Sequence, residues 1–302
     1  MKPVILLILM LVLGACAAPP GAAQPLATAP SVDVATATLL PTSLPTVTPL
    51  PPTVTPVPVT PSPTPCAQMR GSTKDVVLDA PLLRFPLRVH IYTPPCFDAS
   101  GETRYPALYL LHGQSYTNLH WDDLGADEAA DTLISSGQAS PFLIIMPQEA
   151  QDLIDAGSSP YGQALVETLV PWVDATYPTC TDASCRAIGG ISRGAGWAVH
   201  VALRNADVFG AVGAHSLAAF YGEAFRLPAT LAAIPEGSVP RFYVDSGEHD
   251  RYLYSAVEFE TALDQSGVAH DWYLFQGLHD DDYWTAHMEF YIRWYADFFS
   301  GR

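Results

Sequence analysis

Half of the 28 prolines of this chain fall in residues 17–65. Many alternate with Thr and Val, and Asp33 is the only charged residue of the segment. Dense proline removes backbone donors and biases a chain to extended polyproline II, so this stretch cannot build a packed core. At ~3.1 Å per residue, its 49 residues reach roughly 150 Å when fully extended. It reads as a tether. The part able to fold is residues 66–302.

Ahead of the tether, residues 1–16 read as an export signal. Lys2 supplies the positive start, Val4 to Leu13 form an apolar run, and Gly14-Ala15-Cys16 close it with small residues. The run is too short for an ordinary transmembrane helix. Leu13-Gly14-Ala15-Cys16 resembles a bacterial lipobox, which implies lipidation at Cys16. The expected placement is extracytoplasmic, lipid-anchored to a bacterial membrane or cell surface. Such a lipid anchors a chain without spanning the bilayer.

Apolar residues make up 49% of the chain and charged residues 15%, too apolar for wholesale disorder. Lys2 and Asp33 cancel, so the net charge of −17 belongs to residues 66–302. That balance argues against nucleic acid, or an anionic membrane surface, as a partner recognised by charge. Four cysteines lie outside the signal: Cys66, Cys96, Cys180 and Cys185. An even count in an exported chain suggests disulfides, with three possible pairings. Thr-Asp-Ala-Ser between Cys180 and Cys185 is turn-like, which favours that local bridge and leaves Cys66 with Cys96. The spacing does not resemble a zinc ribbon. No metal and no cofactor is expected.

The folded part alternates strands and helices. Strands are expected at 87–92, 107–111, 142–146, 187–190, 209–214, 241–245 and 271–275. Helices are expected at 124–136, 161–176 with a kink at Pro171, 193–204, 252–266 and 281–299. Runs such as Ala107-Leu108-Tyr109-Leu110-Leu111 are apolar without alternation, as in strands buried on both faces. Together these imply an α/β fold, a mostly parallel central sheet with helices on both faces.

Three post-strand loops carry chemistry. Gly190-Ile191-Ser192-Arg193-Gly194 is a G-x-S-x-G between an expected strand and an expected helix, the setting of a nucleophile elbow. Ser192 would project above the sheet, and the Arg193 amide, at the helix start, could donate to an oxyanion. A serine hydroxyl needs a base held by a third group. Asp250, after strand 241–245, is the favoured acid, and His279, after strand 271–275, the favoured base. Both sit where the carboxyl ends of parallel strands face ligands. His287, Glu248 and Asp245 are rivals. The backbone N–H of Gln114, in His112-Gly113-Gln114 after strand 107–111, is the candidate second oxyanion donor. Tyr116, Trp121, Tyr252, Tyr283 and Trp284 flank these loops. Trp121 and Trp284 are the candidates to stack on a sugar or aryl group. Asp280-Asp281-Asp282 suits a helix N-terminus without any metal.

These residues resemble the esterase D / putative esterase branch of the α/β-hydrolases. The likeness rests on Tyr109-Leu110-Leu111-His112-Gly113, Gly189-Gly190-Ile191-Ser192-Arg193-Gly194, Asp245-Ser246-Gly247-Glu248-His249-Asp250 and Gly277-Leu278-His279-Asp280. Pro171-Trp172-Val173-Asp174 also resembles the helix preceding the elbow strand. Feruloyl-esterase-like members are nearest, sharing a Gly-x-His-Asp loop followed by a Trp, here Trp284. The resemblance implies Ser192 as nucleophile, Asp250 as acid, His279 as base, and amides at Gln114 and Arg193 as oxyanion donors. Arg193 stands where the family often has Met or Gln, and the loop after Gly113 lacks the usual second Gly. The expected function is an extracytoplasmic serine carboxylic-ester hydrolase acting on small-molecule or carbohydrate-linked acetyl or feruloyl esters. Acyl transfer of the mycolyltransferase type is the second enzyme reading. A non-catalytic binding module on a hydrolase scaffold is the third; it would gain from Ser192 and His279 lying far apart, or from an intact triad that forms no acyl-enzyme with a fluorophosphonate probe.

Overall fold

The computed structural model describes residues 67–149 and 154–302. The expected signal with Cys16, the tether and Cys66 lie outside the described residues. Eight strands form one sheet: β1 (Ser72–Leu78), β2 (Leu87–Thr93), β3 (Ala107–Leu111), β4 (Leu143–Pro147), β5 (Arg186–Ile191), β6 (Ala211–His215), β7 (Arg241–Gly247) and β8 (His270–Phe275). Their spatial order is β1-β2-β4-β3-β5-β6-β7-β8. β2 lies antiparallel between β1 and β4, and every pairing from β4 to β8 is parallel.

The helices are α1 (His120–Asp123), α2 (Ala126–Ser135), α3 (Tyr161–Ala164), α4 (Val170–Thr176), α5 (Arg193–Arg204), α6 (Glu223–Ala233), α7 (Leu253–Gln265) and α8 (Asp281–Phe299). Strand alternation sorts the core into two layers. Tyr109 and Leu111 of β3 pack with Tyr161, Val173, Trp197, Leu227 and Phe259, drawn from α3 to α7. Leu108 and Leu110 pack with Trp121, Leu133, Trp284 and Tyr291, drawn from α1, α2 and α8. Both faces of the central strands are therefore covered, which is why they read as unbroken apolar runs.

Several elements depart from the sequence expectation. β1 was not foreseen, because most of an exposed edge strand faces solvent and shows no apolar alternation. α6 was also missed, since Pro228 sits inside it. The expected helix 124–136 is α2 alone, which starts after Gly125 at φ 90°, and the short α1 precedes it unforeseen. The expected helix 161–176 is continuous only through a π-helical turn at Leu165–Leu169, after which α4 restarts with Pro171 in its first turn. The π turn widens the ladder immediately ahead of Pro171, which has no N–H to donate back to it. β6 is displaced to 211–215 and β7 runs on to Gly247, so Asp245 and Ser246 belong to the sheet.

Cys180 and Cys185 are joined by a disulfide, closing the turn that leads into β5. Cys96 is disulfide-bonded as well.

β5 and β6 place Gly189 beside Gly213. A Cβ at either would meet the Tyr295 hydroxyl at 1.8 Å, so the two glycines clear the space that lets α8 approach the sheet. Gly189→Ala is expected to displace Tyr295 and destabilise the domain by about 1–3 kcal/mol, the usual cost of overpacking. A urea titration of the variant against the parent chain checks this; an unchanged midpoint would mean the space is not limiting.

Candidate active site

The site begins with a strained turn. Ser192 links β5 to α5 with φ 58° and ψ −116°, a conformation that costs a non-glycine residue of order 1–3 kcal/mol. Its N–H donates to the His215 carbonyl at 2.8 Å. A Cβ at Gly190 would meet the Gly194 backbone at 2.2 Å, and one at Gly194 would meet the Leu111 carbonyl at 2.2 Å. Those neighbours are backbone and cannot swing aside. The spacing of the motif is thus a packing requirement of a tight elbow.

The loops after β7 and β8 are bonded together. Glu248 N–H donates to the Phe275 carbonyl at 2.8 Å, and His249 N–H to the Gly277 carbonyl at 3.0 Å. This brings Asp250 to His279. His279 Nδ1 lies 2.9 Å from both Asp250 carboxylate oxygens, and its Nε2 lies 2.8 Å from Ser192 Oγ. A carboxylate only accepts, so Nδ1 carries the proton and Nε2 faces the serine hydroxyl with its lone pair. The imidazole lies between two ring edges, Tyr252 at 4.9 Å and Trp284 at 5.1 Å. Burial alone would raise the Asp250 carboxyl. Hydrogen bonds from His279, the Tyr252 N–H at 2.6 Å and the Ser216 hydroxyl outweigh it and hold Asp250 below its ordinary value.

The rival residues are engaged elsewhere. Asp245 is fully buried against His215, Tyr283 and Tyr291. Glu248 pairs with His249 at the surface. His287 donates to the Tyr283 carbonyl at 2.7 Å and stacks on Phe275.

Gln114 and Arg193 flank Ser192 from β3 and α5. Among the described residues no acceptor takes either backbone N–H. The Arg193 side chain turns away from the serine and forms a two-pronged ion pair with Glu149, Nε to Oε2 at 2.8 Å and Nη2 to Oε1 at 2.5 Å. A cavity of about 310 Å³ lined by Gly113, Gln114, Ser115, Tyr116, Ser192, Arg251, Tyr252, His279 and Trp284 opens at the elbow serine.

The two tryptophans divide. Trp121 is not at the cavity: it is 1% exposed, its Nε1 donates to the Leu111 carbonyl at 3.0 Å, and its ring meets His215 edge-on. The expectation that it binds substrate is corrected, because the end of β3 needs both its donor and its bulk. Trp284 lines the cavity, yet it is nearly buried and donates to Ser216 Oγ at 2.9 Å. Its contact is with the histidine.

Sequence reasoning overlooked His120, Glu149 and Ser216. His120 Nδ1 accepts the Gly113 N–H at 3.3 Å, and its ring stacks on Tyr116 at 3.6 Å. Glu149 carries one signal, an acid two residues beyond the fully apolar β4. Ser216 carries none, since it earns its place through a φ of 50° and full burial. Asp280, Asp281 and Asp282 open α8 as expected of a helix N-terminus, with Asp280 accepting the Tyr283 N–H at 3.1 Å.

A mostly parallel sheet carrying a serine at a positive-φ elbow after β5, an acid after β7 and a histidine after β8 defines an α/β-hydrolase. The chain belongs to the esterase family described as Putative esterase, whose model matches residues 83–295. A curated relative, the endo-1,4-beta-xylanase/feruloyl esterase of Xylanibacter ruminicola, is 29% identical over 134 residues, 42% of this chain. The match spans only 18% of that relative. Among solved structures, a ferulic acid esterase superposes with a TM-score of 0.66 at 24% identity, covering 76% of this chain and 100% of the other. A ferulic acid esterase from Anaeromyces mucronatus, solved with ferulic acid, gives 0.61 at 19% identity, covering 77% and 92%. These structural likenesses are of fold.

His120 is the most perturbed histidine of the site, pushed down by burial from 6.5 to about 4. The unfolded chain therefore binds a proton more readily than the folded one below pH 6.5. The stability this neutral ring contributes is present above that pH and is lost as pH falls towards 4, up to about 3 kcal/mol. Urea midpoints measured from pH 7 to pH 4 are expected to fall, and less steeply for His120→Phe.

Proposed function

We propose that this chain is a serine carboxylic-ester hydrolase working through Ser192, His279 and Asp250. The observation that carries the reading is the unbroken hydrogen-bond series from Ser192 Oγ through His279 to Asp250, with the Gln114 and Arg193 N–H groups taken by no acceptor among the described residues. In the first step Ser192 Oγ attacks the ester carbonyl carbon while His279 Nε2 takes the hydroxyl proton. The carbonyl oxygen becomes an oxyanion and accepts from the Gln114 and Arg193 N–H groups. Collapse breaks the bond to the alcohol oxygen, which takes the proton from His279 and leaves. Water then attacks the acyl-serine by the same route, releasing the acid and restoring Ser192. Asp250 holds the imidazole in the required tautomer and balances its charge when it is protonated.

The substrate proposed is a small or carbohydrate-linked acetyl or feruloyl ester. Support comes from the family, from the named activities of the relatives, and from a cavity with Tyr116 and Tyr252 in its lining. We also propose export and lipid anchoring at Cys16, with the proline-rich segment as tether. The Cys180–Cys185 disulfide supports an oxidising compartment. The 2.8 Å separation of Ser192 and His279 supports the enzyme reading over a retired binding scaffold.

The test compares the parent chain with Ser192→Ala on p-nitrophenyl acetate, p-nitrophenyl butyrate and methyl ferulate. The expected result is a loss of kcat/KM of at least about 1,000-fold, with labelling by a fluorophosphonate probe abolished. Equal turnover by both proteins would remove Ser192 from the mechanism.

A further inference from the structure

We propose that His112, supported by His120, is a positioning residue that aims the Gln114 N–H at the substrate oxyanion. The inference rests on the serine-hydrolase reading above and adds to it how one of the two donors is held.

The tautomer of His112 follows from its partners. Its Nε2 receives the Glu149 backbone N–H at 2.9 Å. A backbone N–H only donates, so Nε2 carries the lone pair and Nδ1 carries the proton. Nδ1 then donates to the carbonyl of the next residue, Gly113, at 2.7 Å. That carbonyl also receives the Tyr116 N–H at 3.1 Å. In a trans peptide the carbonyl of one residue and the N–H of the next point in opposite directions. Fixing the Gly113 oxygen on the His112 side therefore fixes the Gln114 N–H on the other side, where Gln114 and Ser192 line the cavity.

His120 pins the preceding peptide. It takes the Gly113 N–H on Nδ1, so its own proton is on Nε2, which faces Asp281 Oδ1 at 3.4 Å. Both rings are buried, at 4% and 2% exposure. Gly113, whose missing side chain would otherwise stiffen the loop, is thus held on its N–H and on its C=O by two neutral imidazoles. Neither histidine reaches the nucleophile; each acts through the backbone of Gly113.

Glu149 supplies the anchor at the far end. Its N–H holds His112, and its carboxylate holds the side chain of Arg193. The backbone of Arg193 is the other proposed donor. A chain of hydrogen bonds therefore runs from one donor residue to the other without touching the substrate.

The test separates the two hydrogen bonds of His112. In His112→Asn the side-chain amide N–H can replace Nδ1–H towards Gly113, whereas His112→Gln reaches towards Glu149 and loses that donor. His112→Gln is expected to lower kcat for p-nitrophenyl acetate by about 10- to 100-fold, the scale of a misaimed oxyanion donor. KM should stay within about twofold. The inhibition constant of an aryl trifluoromethyl ketone, which forms a tetrahedral oxyanion on the serine, should rise by the same factor as kcat/KM falls. His112→Asn should recover most of both. Circular dichroism and thermal midpoints establish that each variant folds. Should His112→Gln not fold, His120→Phe keeps the stack on Tyr116 while removing the acceptor for Gly113, and the same fall in kcat and rise in inhibition constant are expected. A folded His112→Gln or His120→Phe with parental kcat and ketone affinity would overturn the inference, as would His112→Asn impaired as much as His112→Gln. Ser192→Ala, run alongside, isolates the underlying reading: full turnover there would bring down the serine mechanism and this inference with it.

Discussion

The hydrogen bond from the Ser192 N–H to the His215 carbonyl ties the strained elbow to β6, and the rest of the site is built around that tie. His215 is itself fully buried and bonded at both ring nitrogens. Its Nδ1 meets Asp245 at 2.9 Å and its Nε2 the Tyr295 hydroxyl at 2.8 Å. The other oxygen of Asp245 accepts from Tyr283 at 2.5 Å and Tyr291 at 2.8 Å. Burial and the Asp245 charge push the tyrosine hydroxyls well above their ordinary values, so they remain donors. A carboxylate sealed in the core is costly unless its oxygens are satisfied. Here it is satisfied only when β6, β7 and α8 are all in place. The cluster thus specifies one arrangement of the elements that carry the elbow and the histidine loop.

His279 is held by different means. Its polar edges are set by Asp250 and Ser192, and its faces by Tyr252 and Trp284. Trp284 in turn is fixed through Ser216, which also supports Asp250. Asp250 and Trp284, which both meet His279, therefore share one buried hydroxyl. Asp250 keeps its charge because its partners outweigh its burial, which suits it to stabilise an imidazolium beside it.

Much of this was legible in the chain. The unbroken apolar strands marked a sheet covered on both faces, and the two layers of core confirm the physical reason. Ser192, Asp250 and His279 could be singled out because each follows a strand on the same sheet edge. What stayed hidden depends on contacts between distant segments. β1 is stabilised by pairing with β2, so its own sequence shows little. α6 carries Pro228, which argues locally against a helix that tertiary packing sustains. The failure at Trp121 has the same origin: an aromatic residue in a post-strand segment reads equally as ligand platform or core, and only the Leu111 carbonyl above its Nε1 decides. His120 and Ser216 act through partners more than six residues away, a distance at which spacing carries no signal.

The two proposed oxyanion donors, at Gln114 and Arg193, are main-chain atoms. Every coded residue but proline supplies an N–H at those positions, so the chemical group survives almost any change of side chain. A change of side chain at 114 or 193 therefore alters shape and charge around the site, not the donor itself. Arg193 illustrates the freedom: its side chain pairs with Glu149 while its amide keeps its place at the head of α5. A hole written into the backbone is hereditarily robust, and the fragile positions are those that orient the peptide planes from behind.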